Sequence, residues 1–124
     1  MIILDTSIWI EFLKTHEPYF TVISQLSEQK DILAAECVFG ELLQGVKNDT
    51  ERLLILNYWK HLPKAEMTEI IIEAGLYSSK NKLLDKGVGL IDAMILIQGI
   101  KSQSKIWTLD KNFLNVIPEE LKYK

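Results

Sequence analysis

Apolar positions along the chain follow two alternating patterns: short unbroken runs, then longer stretches in which they recur every three or four residues. Ile2, Ile3 and Leu4 form the first run. Such a run suits a strand buried on both faces of a parallel sheet. It stops at Asp5, Thr6 and Ser7, residue types that favour a helix N-cap. Ile8, Trp9, Phe12 and Leu13 then fall at helical spacing. A second helix is expected over 19–29, with Phe20, Ile23 and Leu26 on one face, and a second strand over 32–35 after Asp31. Residues 37–46 read as a helix closed by Gly45 or by Asn48 just beyond it.

The spacing predicts another amphipathic helix over 50–60, turning Leu53, Leu56 and Trp59 or Tyr58 inward. His61, Leu62 and Pro63 read as a short edge strand, where proline is tolerated. A long helix is expected over 67–86, with Ile72, Leu76, Ser79 and Leu83 on its core face and Gly87 as its closing glycine. Residues 91–103 are apolar almost all round, which marks a central helix. Ile106 to Leu109 read as a further buried strand ended by Asp110, and Val116-Ile117 as a last one. Strands alternating with helices imply right-handed crossovers. The expected architecture is therefore α/β, one domain over 1–124, with a central parallel sheet of four to five short strands flanked by helices on both faces.

Composition changes this picture little. A chain of 124 residues with 48% hydrophobic and 25% charged residues is that of an ordinary globular domain. Cys37 is the one cysteine and has no internal disulfide partner; it reads as a small buried hydrophobe. No apolar run approaches the roughly 18 residues that span a bilayer. Nor does the start of the chain resemble a signal peptide. A cytoplasmic location with no membrane association is the expectation. The formal charge is −3, and Arg52 is the sole arginine. A protein that holds nucleic acid by charge alone is usually basic, so any such function must account for the acidity.

Four carboxylates supply the account. In open α/β sheets, ligands bind beyond the carboxyl ends of the strands. Asp5 and Asp110 each follow a predicted strand directly, Asp92 lies in the first turn of the central helix, and Glu41 rides the helix after the second strand. Each also has an ordinary structural use. Asp5 and Asp110 stand where N-caps belong, Asp92 suits the helix dipole, and Glu41 suits an exposed helix face. Asp92 is flanked by Leu90, Ile91, Ala93 and Met94, a setting that disfavours an unpartnered carboxylate. Two such charges 4 Å apart repel by about 4 kcal/mol at an effective dielectric of 20. A hard divalent cation, Mg²⁺ or Mn²⁺, relieves that repulsion and suits attack on phosphate. It also makes an acidic pocket attractive to a polyanion. His16 and His61 are isolated and form no zinc cluster.

Taken together, LDTSIWI at 4–10, GELLQGV at 40–46, LIDAMILIQG at 90–99 and IWTLDKNF at 106–113 resemble the PIN-domain family, and within it the VapC-type toxins of prokaryotic toxin–antitoxin pairs. The resemblance implies a metal-dependent endoribonuclease acting on RNA. Asp5, Glu41, Asp92 and Asp110 correspond to its acidic cluster, and Thr6 or Ser7, with Thr108, to the hydroxyl residues beside it. It further implies a homodimer and a cognate antitoxin that blocks the acids with a basic side chain. The segment 36–40 and the arginine-free region 80–89 depart from the pattern. Lys47, Lys80, Lys82, Lys86 and Lys111 suit phosphate contacts, or equally a solvated surface. Trp9, Tyr58, Trp59 and Trp107 read as core or dimer contacts rather than base-stacking platforms. The rivals are an RNA-processing or DNA-preferring PIN nuclease without an antitoxin, and a non-catalytic PIN-like scaffold. A dehalogenase-type phosphatase is disfavoured because Ser7 stands where its second aspartate belongs. A receiver domain is disfavoured because no aspartate follows a mid-chain strand.

Overall fold

A computed structural model describes residues 1–124. Strand β1 (Ile2–Leu4) leads into helix α1 (Thr6–Leu13), followed by α2 (Tyr19–Glu28), α3 (Glu36–Gln44), α4 (Asp49–His61) and α5 (Ile70–Asn81). A 3₁₀ turn at Leu84–Lys86 precedes the central helix α6 (Leu90–Ser102), strand β2 (Lys105–Trp107), α7 (Lys111–Val116) and a last 3₁₀ turn at Glu119–Leu121. The chain is an α/β fold, mostly helical, around a small parallel sheet. No helix is long and apolar enough to cross a membrane.

Only β1 and β2 pair as strands, parallel and in register at Ile3 and Ile106. The expected four to five strands shrink to these two. Residues 32–35 and 61–63 lie beside the sheet but contribute only isolated parallel bridges, Ile2 with Ile32 and Ala34 with Lys64. The reason is local. The 32–34 segment bonds to β1 through Ile2 and Leu33, then turns to the Pro63 carbonyl through the Ala34 N–H at 2.8 Å, so neither ladder extends. Pro63 itself has no N–H to give. The expected last strand at Val116-Ile117 is instead the end of α7. Phe113 and Ile117 are both buried and four residues apart, a helical interval. Lys122 takes the sheet edge beside Ile106.

Two helices bury a different face from the expected one. In α5 the inward residues are Ile70 and Ala74, while Ile72 and Leu76 are 65% and 69% exposed. Three consecutive isoleucines, Ile70 to Ile72, point in three directions, so periodicity alone chooses no face. Ala74 is small enough to let the backbones of α5 and α6 approach. The helix is also shorter than expected, because Glu69 and Lys82 adopt positive φ at its two ends. In α4 the buried residue is Ile55, with Tyr58 and Trp59 half-buried, whereas Leu53 faces solvent.

Helix α6 is central as expected, burying Ala93, Ile95, Leu96, Ile97, Gln98 and Gly99. β2 crosses it at Gly99, where a Cβ would lie 2.6 Å from the Ile106 Cδ1. Trp9 packs edge-on against Phe12 and Phe39, and Trp59 packs against Phe39, so these tryptophans belong to the aromatic core.

Candidate functional site

Because β1 and β2 are parallel neighbours, the chain leaves both at the same edge of the sheet. Asp5 follows β1 and its N–H bonds the Trp107 carbonyl at 3.1 Å. It is buried, caps α1 by accepting the Ile8 N–H at 3.3 Å, and also accepts the hydroxyls of Ser7 and Thr108. Ser7 in turn accepts the Leu109 N–H at 3.1 Å, and Thr108 accepts the Asp110 N–H at 3.0 Å. Two hydroxyls thus stitch the exits of the two strands around one carboxylate.

Asp110 caps α7, accepting the N–H groups of Asn112 at 2.9 Å and Phe113 at 3.2 Å through Oδ1. Its ordinary capping use is therefore real. Asp110→Ala should lower stability by about 1 kcal/mol and Asp110→Ser should recover most of that, since serine caps equally well. Urea unfolding midpoints of the two variants check it.

Glu41 lies on α3, exposed, and accepts the Thr6 hydroxyl at 2.6 Å through Oε1. The two neighbouring hydroxyls at 6 and 7 thus divide the work: Ser7 holds Asp5 and Thr6 holds Glu41.

Asp92, in the first turn of α6, is partly buried, and its carboxyl is pushed up to about 6. Burial is the chief cause, and the charges of Asp110, Asp5 and Glu41 add to it. Asp5 is raised as well, because burial outweighs the hydrogen bonds it receives. Asp5, Glu41 and Asp110 therefore each act on Asp92 through space. They are not closed around a common point: no three His, Cys, Asp or Glu side chains are grouped so as to hold a metal ion. Three of the four are instead drawn toward hydroxyls or backbone amides of the chain.

The donor chemistry, all carboxylate oxygen, fits a hard divalent cation. The mutual repulsion at Asp92 is the strain such a cation would relieve. Neither histidine takes part. His16 bonds Glu11 at 2.8 Å and His61 the Asn57 carbonyl at 2.8 Å. Burial pushes the Cys37 thiol up to about 11, which leaves it neutral and poorly nucleophilic.

An apolar cavity of about 560 Å³ is lined by Phe39, Leu43, Trp59, Ile71 and Met94, with Glu36 and Gly40 of α3, the helix that also bears Glu41. Gln98, only 3% exposed, also lines it. Its Nε2 donates to the Glu66 carbonyl at 3.1 Å, which fixes the amide's orientation, and its Oε1 has no partner. This acceptor, and a polar pocket carrying Asn112 and Asn115, were not anticipated from the sequence. The asparagine pair three residues apart after Asp110 was the available signal.

The family model for the PIN domain matches residues 2–117, and the chain belongs to that family. Among solved structures it is similar to a chain of VapBC2 from Rickettsia felis bound to a DNA fragment from their promoter, at 21% identity and a TM-score of 0.72. That match covers 100% of this chain and 98% of the other. It is also similar to a chain of FitAcB from Neisseria gonorrhoeae, at 17% identity and a TM-score of 0.58, over 93% of this chain and 91% of the other. At these identities the likeness is one of fold. No curated protein sequence matches the chain.

Proposed function

We propose that the chain is a Mg²⁺-dependent endoribonuclease, with Mn²⁺ as an alternative ion, and the toxin of a toxin–antitoxin pair. The observation that carries the reading is Asp92, a carboxyl raised chiefly by its burial and further by the charges of three other acids, Asp110, Asp5 and Glu41. Asp5, Asp92, Glu41 and Asp110 would hold the ion. When bound, the cation polarises a phosphoryl oxygen and makes a water nucleophilic near neutral pH.

The chain's own part is to place and tune the oxygens. Ser7 and Thr108 aim the two oxygens of Asp5, and Thr6 restrains Glu41. The capping amides hold Asp110 by Oδ1 alone, leaving Oδ2 unused. Apolar neighbours around Asp92 lower the local dielectric and so strengthen its hold on a cation. Cleavage-site mapping on total RNA, with Mg²⁺ and with EDTA, tests this reading. Defined cuts only with the metal are expected, and an uncut RNA pool in both would reject it.

The VapBC2 and FitAcB likenesses support the toxin role. So does the acidic edge itself, which invites a cationic side chain from a cognate antitoxin, arginine best of all. The apolar cavity beside Glu41 offers that partner a seat, and Gln98 Oε1 offers it an acceptor. A homodimer belongs to the same reading, and the uncovered Ile72 and Leu76 on α5 supply an apolar face for it. Expression in a bacterial host should arrest growth, and Asp5→Asn should relieve the arrest. Equal growth of wild type and variant at equal protein level would remove the toxin role.

A further inference from the structure

A surface concavity of about 480 Å³ lies between α5 and the 3₁₀ turn at Leu84–Lys86, where Gly75, Ser79, Lys82, Leu84, Asp85 and Leu90 line it. Leu84, 77% exposed, is the most uncovered large apolar side chain of the chain, and Leu90 is exposed as well. Ile72 and Leu76 continue the surface along α5, because positions 72, 75, 76 and 79 stand three and four apart and share one helix face. The core-packing residues Ile70 and Ala74 occupy the opposite face. A monomeric soluble domain seldom leaves such a group of large apolar side chains together in water.

Gly75 stands in the middle of α5, where glycine costs about 1 kcal/mol against alanine. Nothing inside the chain calls for it. A Cβ at Gly75 would meet no atom within 4 Å, whereas one at Gly99 would run into Ile106. With the small Ser79 one turn later, Gly75 lowers the exposed surface of the helix. Such a surface lets the backbone of another helix come close. The glycine thus has a use in contact with another chain that it does not have within its own.

The charges select the occupant. Lys82 and Asp85 are both exposed, line the same concavity, and take part in none of the chain's ion pairs. They carry opposite charges in equal number, so the surface is its own electrostatic complement. A two-fold contact needs that property, since it sets residue i of one copy against j of the other, and j against i. The larger apolar cavity differs. Glu36 is the one charged residue in its lining, so it suits a basic partner and not itself. We propose that the α5 face binds a second copy of the chain, helix against helix over Gly75, with Lys82 of each copy paired to Asp85 of the other. The proposal rests on the toxin reading, to which a homodimer belongs, and adds the face and its charge pairing. Leu90 opens α6 two residues before Asp92, so the contact covers the start of the helix that bears this acid.

Sedimentation equilibrium of the full chain in EDTA is the test, and wild type should sediment as a dimer. Gly75→Gln should weaken the dimer at least about tenfold, since a long side chain then stands where the helices meet. Glutamine is the better helix former, so circular dichroism should show an intact fold. Lys82→Asp and Asp85→Lys should each weaken the dimer by on the order of tenfold or more, because each sets like charges together twice across the two-fold axis. Position 82 has a positive φ, which aspartate adopts more readily than most residues. The double variant should return to within about threefold of wild type, the coupling that a direct pair shows. A double variant no tighter than either single one overturns the proposed pairing. A dimer of unchanged strength in Gly75→Gln and in both charge variants overturns the face and leaves the homodimer in place. A monomeric wild type overturns the proposal and the homodimer together, and leaves the nuclease to its own RNA assay.

Discussion

Asp5→Asn and Asp92→Asn should each abolish the proposed Mg²⁺-dependent RNA cleavage while the protein stays folded. Losing a ligand to the proposed ion would forfeit several kcal/mol of charge stabilisation in the transition state. Each 1.36 kcal/mol is tenfold in rate, so the loss is on the order of 10³-fold or more. The fold should survive for identifiable reasons. Asparagine caps a helix as well as aspartate does, so the bond from Ile8 to position 5 persists. The new amide at position 5 still has an oxygen for the Ser7 hydroxyl and can donate to Thr108, whose hydroxyl has a lone pair to spare. At Asp92 no hydrogen bond is lost, only a charge. Purified variants with native circular dichroism are assayed on a fluorogenic RNA. Full metal-dependent activity in both would eliminate the proposed chemistry.

The second large effect concerns stability. The Asp92 carboxyl titrates at about 6 in the folded chain against an ordinary 3.8. Between those values the folded state holds a proton that the unfolded state has released. Stability is therefore highest below the lower value and falls as pH rises through the upper one. Water reaches much of this side chain, so the nominal figure is reduced to about 1–2 kcal/mol. Asp5, raised for the same reason, acts in the same direction. Glu17, Glu66 and Glu119 are lowered and act the opposite way, but at lower pH.

Comparing wild type with Asp92→Asn cancels these common contributions. In EDTA the two should melt together near pH 4. At pH 7.5 the variant should melt higher by about 3–8 °C, taking a few degrees for each kcal/mol in a domain of this size. Saturating Mg²⁺ should reverse the order by stabilising wild type alone, by about 2.7 kcal/mol at a hundred times its dissociation constant. A variant less stable than wild type in EDTA at pH 7.5, or an equal Mg²⁺ shift in both, would refute the shared acidic site.

How much of this was legible in the sequence follows from the range of the forces involved. The exit of β1 into α1 was, because an apolar run stopped by Asp5-Thr6-Ser7 is decided by cap bonds three residues long. The central place of α6 was legible because it is apolar on every side, and no choice of face arises. Asp110 was legible as the cap of a helix, although β2 ends at Trp107 and not, as expected, at Leu109. By contrast, Ile70, Ile71 and Ile72 satisfy any register equally. Only the approach of α6 to Ala74 decided which isoleucine faces inward. Residues 32–35 look like a strand, but their backbone divides itself between β1 and the Pro63 carbonyl, a division set by segments far away in the chain.

The acids follow the same line. Their identities and their common edge were determined by local motifs and by the rule that parallel strands end on one side. Tertiary contact alone decided that Ser7 serves Asp5 while Thr6 serves Glu41, since the choice depends on which hydroxyl faces β2 and which faces α3. It also raised Asp92, because desolvation and repulsion need neighbours from β1, α3 and the start of α7 that lie 18 or more positions away along the chain. Local bonding is written in adjacent residues. The pairing of distant surfaces is a property of the packed chain, where complementarity chooses among faces that the sequence leaves equivalent.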